Sequence, residues 1–191
     1  MLADVIVGLQ YGDCGKGKVT NYLLNTGYYT HCLRYSGAHN CGHTSYLDGK
    51  KIITHILPAG VFHGVTSIVG PGCCLHVEKF LKELEEADKA FPLRKVKNFI
   101  RVAYNAHIIT DEHIAEDSKD VKIGTTRTGS GPAFRDKHAR TGIRAKSIPE
   151  LQKYLIDPYE EFHINYPQAR ILCEGAQGFG LDIDFGDYPL S

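Results

Sequence analysis

The stretch "DVIVGLQYGDCGKGKVTNYLLN", residues 4–25, limits the fold more than any other part of the chain. A short apolar run, expected to be a buried strand, enters a turn holding Gly12, Gly15 and Gly17. Behind the turn, Val19, Tyr22 and Leu23 recur at helical spacing. Strand, glycine turn and helix make the opening unit of a parallel α/β sheet. The alternation continues. "THCLRYSG" (30–37), "TSIVGPGCCL" (66–75), "KNFIRVAYNAHII" (97–109) and "ARILCEGAQGFG" (169–180) read as strand-bearing segments, and Asp48-Gly49 marks a hairpin over 44–57. "HVEKFLKELEEADKA" (76–90) reads as a helix with Val77, Phe80, Leu81 and Leu84 on its apolar stripe. Thr110 is a helix N-cap ahead of Asp111 and Glu112, and 147–168 carries amphipathic helix signals interrupted at Pro158. The expected architecture is α/β, a mainly parallel central sheet with flanking helices, with no internal repeat or clear domain boundary.

Composition removes several function classes. Lysine and arginine together number 22, as do aspartate and glutamate, so there is no basic field of the kind a nucleic-acid binder needs. No run of apolar residues is long enough to cross a membrane, and "MLADVIVGLQ" lacks the basic start of a signal peptide. Six cysteines without a C-x-x-C pair read as reduced thiols of a cytoplasmic protein. His39, Cys41 and His43, with His31 and Cys32 nearby, have some metal-ligand character, but a fourth ligand is not evident.

Four segments carry chemistry. Gly12 to Lys18 fits the phosphate-loop spacing G-x-x-x-x-G-K, yet Val19 stands where such loops place a magnesium-binding hydroxyl, and Thr20 is one place late. Gly12, Gly15 and Gly17 let backbone N–H groups turn toward an anion, and Lys16 and Lys18 add charge. Asp13, inside this loop, suits Mg²⁺ coordination or proton abstraction from a nucleophile beside a phosphoryl group. The plainer alternative is a glycine turn with an incidental acid. "GAHNCGHTSYLDGK" (37–50) places two histidines and Asn40 in a Gly-bearing loop, where an imidazole can stabilise a developing phosphate anion. "KIGTTRTGSGPAFRDKHARTGIR" (122–144) sets Thr125, Thr126, Thr128 and Ser130 among glycines, followed by Arg140 and Arg144. It reads either as a second anion cradle or as a flexible surface loop. "CEGAQGFGLDIDFGDYP" (173–189) leaves a strand end with Gln177, then Asp182, Asp184 and Asp187, acids suited to metal or simply to solvation.

Taken together, "GDCGKGK", "HNCGHT", "KIGTT…GSGPA…DKHAR" and "EGAQGFGLDID…YP" resemble, in order and broad spacing, the segments of adenylosuccinate synthetases. The resemblance covers nearly the whole chain. It implies a fold distantly like P-loop NTPases, and an enzyme that phosphorylates O6 of IMP with GTP before L-aspartate displaces the phosphate. By this resemblance Asp13 is the general base and a Mg²⁺ ligand, and Gly42 supplies a carbonyl to the same ion. His43 and Lys16 act on the transferring phosphoryl group, and Gln177 supports the purine at its 6-position. Gly12, Gly15, Lys16, Gly17, Lys18, Gly42, His43 and Thr44 hold the nucleotide phosphates. Asp13, Asn40, Thr125, Thr126, Arg140 and Gln177 hold IMP, with Arg140 reaching across a homodimer from the neighbouring subunit.

Three departures stand out: Cys14 replaces the family's usual Glu, Arg127-Thr128 stands where the family commonly has Gly-Arg or Gly-Ser, and the stretches expected beyond Ser191 are not in the sequence. Those stretches bind aspartate and recognise the guanine base, so ATP stays open as the donor. The chain thus reads as the N-terminal portion, residues 1–191, of one synthetase-like domain. Two alternatives remain. Phage 2-aminoadenylosuccinate synthetases use dGMP and replace the loop acid by a small residue; retained Asp13 favours IMP. A nucleotide-binding protein without ligase activity is the other.

Overall fold

The computed structural model describes residues 1–119 and 124–189. Asp120, and Lys122 and Ile123 of the third segment, lie outside the described residues, as do Leu190 and Ser191 at the chain end.

Nine strands and four α-helices are found among the described residues. β1 (Leu2–Gly8) leads through the glycine turn into α1 (Lys16–Leu24) and on to β2 (His31–Gly37). β3 (His43–Leu47) and β4 (Lys50–Thr54) form the expected hairpin, with Asp48 and Gly49 both at positive φ, as a tight two-residue turn requires. β5 (Thr66–Leu75), α2 (Val77–Ala90), β6 (Ile100–Ala103) and β7 (His107–Ile108) follow. Next come α3 (Asp111–Asp117) and α4 (Ser130–Ala139), then β8 (Leu155–Ile156) and β9 (Arg170–Gly178). The main sheet runs β1-β9-β2-β5-β6-β8, with β7 beside β5, and every pairing in it is parallel. The last strand therefore returns to lie between β1 and β2. It brings the C-terminal ends of β1, β9 and β2 side by side, where open α/β sheets hold ligands.

The largest core cluster packs α2, through Phe80 and Leu84, against Val69, Leu75, Ile100 and Val102 of the sheet. A second joins Leu24 of α1 to Cys32 and Leu172. A third packs Phe162, from the segment before β9, against Ile171 of β9 and Ile68 of β5.

Several expectations need correction. β1 is an edge strand: Val5 and Val7 are more than half exposed, because β9 pairs on one side and no described strand pairs on the other. Val19 and Tyr22 are exposed, and α1 instead buries Lys16, Gly17, Thr20 and Leu24. The 97–109 segment divides into β6 and β7, separated by Tyr104–Ala106. The 147–168 segment holds no α-helix. Pro149 opens a 3₁₀ turn (Pro149–Tyr154), β8 pairs with β6, and a π-helical turn (Glu160–Asn165) comes after Pro158. Ser130–Ala139, read as part of a loop, is a helix, started by Gly129 in the left-handed region.

Candidate nucleotide-phosphate site

The phosphate loop is built from unusual backbone conformations. Gly12, Asp13 and Gly15 have φ of 111°, 48° and 79°. Such runs turn successive N–H groups inward into an anion-binding hollow, and a Cβ at Gly12 or Gly15 would stand in open space. Gly15 caps α1 without any side-chain bond, and no acid occupies the first turn. The first N–H groups of α1 and the positive end of its dipole are thus left for a ligand. Gly17 serves packing: a Cβ there would lie 3.0 Å from His43 Cβ and 3.2 Å from the Thr44 carbonyl oxygen. This close approach sets the start of α1 directly against β3.

Lys16 is the electrostatic centre. It is only 6% exposed, and its Nζ bonds only Cys14 Sγ, at 3.6 Å, with no carboxylate among the described residues as counter-ion. A buried cation without a partner is unfavourable unless an anion arrives. Lys18, the lysine of the G-x-x-x-x-G-K spacing, is exposed. Thr20 Oγ1 bonds back to the Lys16 carbonyl at 2.9 Å, so its hydroxyl is already used within the helix. Asp13 is exposed and makes no side-chain hydrogen bond among the described residues.

The second loop meets the first over β9. A Cβ on Gly178 would overlap the Gln10 carbonyl, and one on Gly37 would stand 2.3 Å from Ala176 Cβ and 3.5 Å from the Gln177 amide. Gln177 Nε2 donates to Asn40 Oδ1 at 3.4 Å, joining two of the expected purine-site residues. Cys41 Sγ bonds the Ala176 carbonyl at 3.1 Å, and His55 Nδ1 lies 3.0 Å from the Cys41 carbonyl oxygen. Gly42 is exposed and Thr44 half-buried.

His43 Nδ1 is held by the carboxylate of Glu174, and its Nε2 is buried without a partner among the described residues. Burial alone would lower the imidazole pKa, but bonds to Cys41 and Glu174 outweigh it and raise it to about 9. Burial would raise the Glu174 carboxyl, yet His43 and Arg34 hold it below the usual range. His39 is the reverse case: burial first, then Lys79, His76, His55 and Arg34, push it down to about 3. Among the described residues no three His, Cys, Asp or Glu side chains converge as for a metal, so His39, Cys41 and His43 do not form such a cluster.

Magnesium needs no such cluster. It is commonly held by one or two carboxylates, waters and the substrate's own phosphates. The Asp13 carboxylate in the phosphate loop, unpaired among the described residues, and the carbonyl of the exposed Gly42 are donors of that kind.

The third segment forms its own hydroxyl chain. Thr126 Oγ1 lies 3.0 Å from Thr128 Oγ1, which lies 2.8 Å from Ser130 Oγ. Thr125 Oγ1 bonds the Asp117 carbonyl at 3.4 Å, while the Asp117 carboxylate accepts the Gly129 N–H at 2.8 Å. Arg127 has φ 54°, a conformation that glycine adopts most easily. Arg140 is exposed at the end of α4, also at positive φ. No hydrogen bond among the described residues ties this segment to Lys16, His43 or Gln177.

Arg34, Asp117 and Glu174 are the residues that sequence reasoning missed. Arg34 and Glu174 were detectable, since each is a charge in the middle of a strand segment, next to apolar neighbours, and such a charge, if buried, needs a partner.

The family model for adenylosuccinate synthetase matches residues 5–165. This chain belongs to the adenylosuccinate synthetase family. The synthetase of Chlorobium chlorochromatii is 35% identical, covering 98% of this chain and 54% of its own length, and that of Picrophilus torridus is 32% identical, covering 99% and 55%. Among solved structures, the fully ligated adenylosuccinate synthetase of Plasmodium falciparum superposes with a TM-score of 0.87 at 28% identity over 99% of this chain and 54% of that one. The succinoaminodeoxyadenylate synthetase of cyanophage S-2L, bound to dGMP and dATP, gives 0.80 at 26% identity over 98% and 55%. The chain spans about half the length of the relatives it matches, and the parallel α/β architecture is that of the family. No helix among the described residues is long and apolar enough to cross a membrane.

Proposed function

We propose that this chain carries the phosphoryl-transfer half of a cytoplasmic purine ligase that joins L-aspartate to IMP, using GTP and Mg²⁺ and passing through 6-phosphoryl-IMP. The observation that carries this reading is Lys16, buried without a counter-ion among the described residues, beside the uncapped start of α1. In this reading Asp13 removes the N1 proton of IMP, making O6 nucleophilic toward the γ-phosphorus. Gly12, Gly15, Gly17 and Thr44 shape the phosphate hollow, Lys18 adds charge at its rim, and Lys16 and His43 neutralise charge on the transferring oxygens. Gln177 and Asn40 hold the purine nucleotide with Thr125 and Thr126, and Arg140 reaches the 5′-phosphate of the partner subunit's IMP in a homodimer. Asp13 and Gly42 would hold Mg²⁺, which when bound offsets phosphate charge. The aspartate amine then displaces phosphate at C6.

The test is product formation by the full natural protein with IMP, GTP, L-aspartate and Mg²⁺, followed by chromatography. Adenylosuccinate that depends on every component is expected. A succinyl adduct formed only with dGMP would assign the phage-type reaction, which the cyanophage likeness makes the second reading. ATP in place of GTP decides the donor. Nucleotide binding with no adduct from either purine would leave a binding protein and overturn the ligase reading.

A further inference from the structure

We propose that Glu174 is a positioning residue for His43: its carboxylate takes the Nδ1 side of the ring and leaves Nε2 as the atom presented to the phosphoryl group. The inference rests on the reading of His43 as a group that acts on that phosphoryl group.

Glu174 and Arg34 are register partners on neighbouring strands β9 and β2, and both are fully buried. A carboxylate there could simply neutralise Arg34. The geometry points elsewhere. Arg34 Nη1 stands 3.6 Å from Glu174 Oε1 and 3.5 Å from His43 Nδ1, a longer approach than that of the carboxylate to the same ring atom, while Arg34 Nε and Nη2 have no partner among the described residues, so the two-pronged pairing of guanidinium with carboxylate is not made. The tightest bond of Glu174 is to His43 Nδ1, through the same Oε1. The other oxygen is fixed independently. Oε2 accepts the Ala59 N–H at 3.0 Å and faces Cys32 Sγ at 3.8 Å, so the carboxylate cannot swing from the ring. His43 is 6% exposed, and among the described residues Nε2 is its one ring nitrogen without a partner. An acid on one ring nitrogen that fixes tautomer and orientation for the other is the arrangement by which imidazoles are prepared for chemistry or ligation.

The test uses the full natural protein labelled with ¹⁵N-histidine, with His43 assigned through His43→Gln. The wild type is expected to show a protonated Nδ1 with a downfield, exchange-protected proton. Glu174→Gln should shift that proton upfield, and Glu174→Ala should release the ring into tautomer exchange. In parallel, kcat for adenylosuccinate formation should fall roughly 10²- to 10⁴-fold in Glu174→Gln, with KM for both nucleotides little changed. Should Glu174→Ala fail to fold, Glu174→Gln, which keeps shape and volume, decides alone. His43 signals unmoved in Glu174→Gln would overturn the proposal, as would an unchanged kcat in an active enzyme. If the ring responds as expected but the wild type forms no adduct, the positioning role stands and the synthetase reading falls.

Discussion

Gln177 Nε2 reaches Asn40 Oδ1 at 3.4 Å, across the gap between the end of β9 and the turn after β2. The approach is possible because Gly37, at φ 97°, has no side chain to collide with Ala176. Gly37→Ala adds a methyl 2.3 Å from Ala176 Cβ and holds an alanine at positive φ. Stability should fall on the order of 1–3 kcal/mol, with IMP affinity reduced as Gln177 shifts. Denaturant unfolding and titration calorimetry check both; a variant as stable as the parent would show that the two strands separate easily.

Much of this was legible beforehand because it is local. The Asp48-Gly49 hairpin, the Thr110 cap and the α2 stripe each depend on neighbours within a few residues, and each formed where expected. What could not be read is non-local. Nothing in "DVIVGL" reveals that β1 pairs on one side only, because that depends on where β9 returns. The exposed face of α1 follows from Gly17 docking on His43, not from the spacing of Val19 and Tyr22. The site divides the same way. Glycines and Lys16 were visible as a loop, whereas the Glu174–His43 bond joins positions 131 residues apart.

Lys16→Met removes a buried charge that is uncompensated among the described residues, while keeping length and apolar contact. The variant should be at least as stable as the parent, because an unpaired buried cation is unfavourable. Nucleotide affinity should drop by about 10- to 150-fold, the loss of one charge-assisted contact of roughly 1.5–3 kcal/mol. Parallel unfolding and binding measurements would show the two effects moving in opposite directions. A marked loss of stability would mean that Lys16 is structural.

Asp13→Asn keeps the loop shape, since asparagine also tolerates the φ of 48° found there. Phosphoryl transfer to IMP should fall by roughly 10²- to 10⁴-fold, while nucleotide binding changes little. Phosphate release in rapid-quench experiments, set beside calorimetric affinities, separates the two. Retained turnover would remove Asp13 from the role of base.

Arg140→Leu alters an exposed side chain with no salt-bridge partner among the described residues, so the fold should be unaffected. IMP should bind about 10- to 150-fold more weakly if Arg140 holds its 5′-phosphate, again one contact of roughly 1.5–3 kcal/mol. Mixing Arg140→Leu subunits with Asp13→Asn subunits tests the reach across a dimer. If Arg140 acts in trans, a mixed dimer regains one intact site and some activity. Equal loss in mixed and parental samples would place the arginine in its own subunit's site.

Stability should also decline in acid, and the histidines give the direction. Burial lowers His39 to about 3, and His31 and His107 are lowered as well, chiefly by burial. In the unfolded chain each returns to an ordinary pKa near 6.5. Between those values the unfolded state binds protons that the native state refuses. Stability contributed by the neutral form is therefore present above about pH 6.5 and is lost as pH falls toward 3. His39 alone contributes a slope of about 1.4 kcal/mol per pH unit in that window. His43 has the opposite sign: raised to about 9, it contributes stability that is full below its unfolded pKa and lost as pH rises through 9. Urea midpoints between pH 7 and 5 should fall steadily in the parent and less steeply in His39→Asn, which has no proton to refuse. Equal slopes for the two proteins would show that His39 titrates normally in the folded chain.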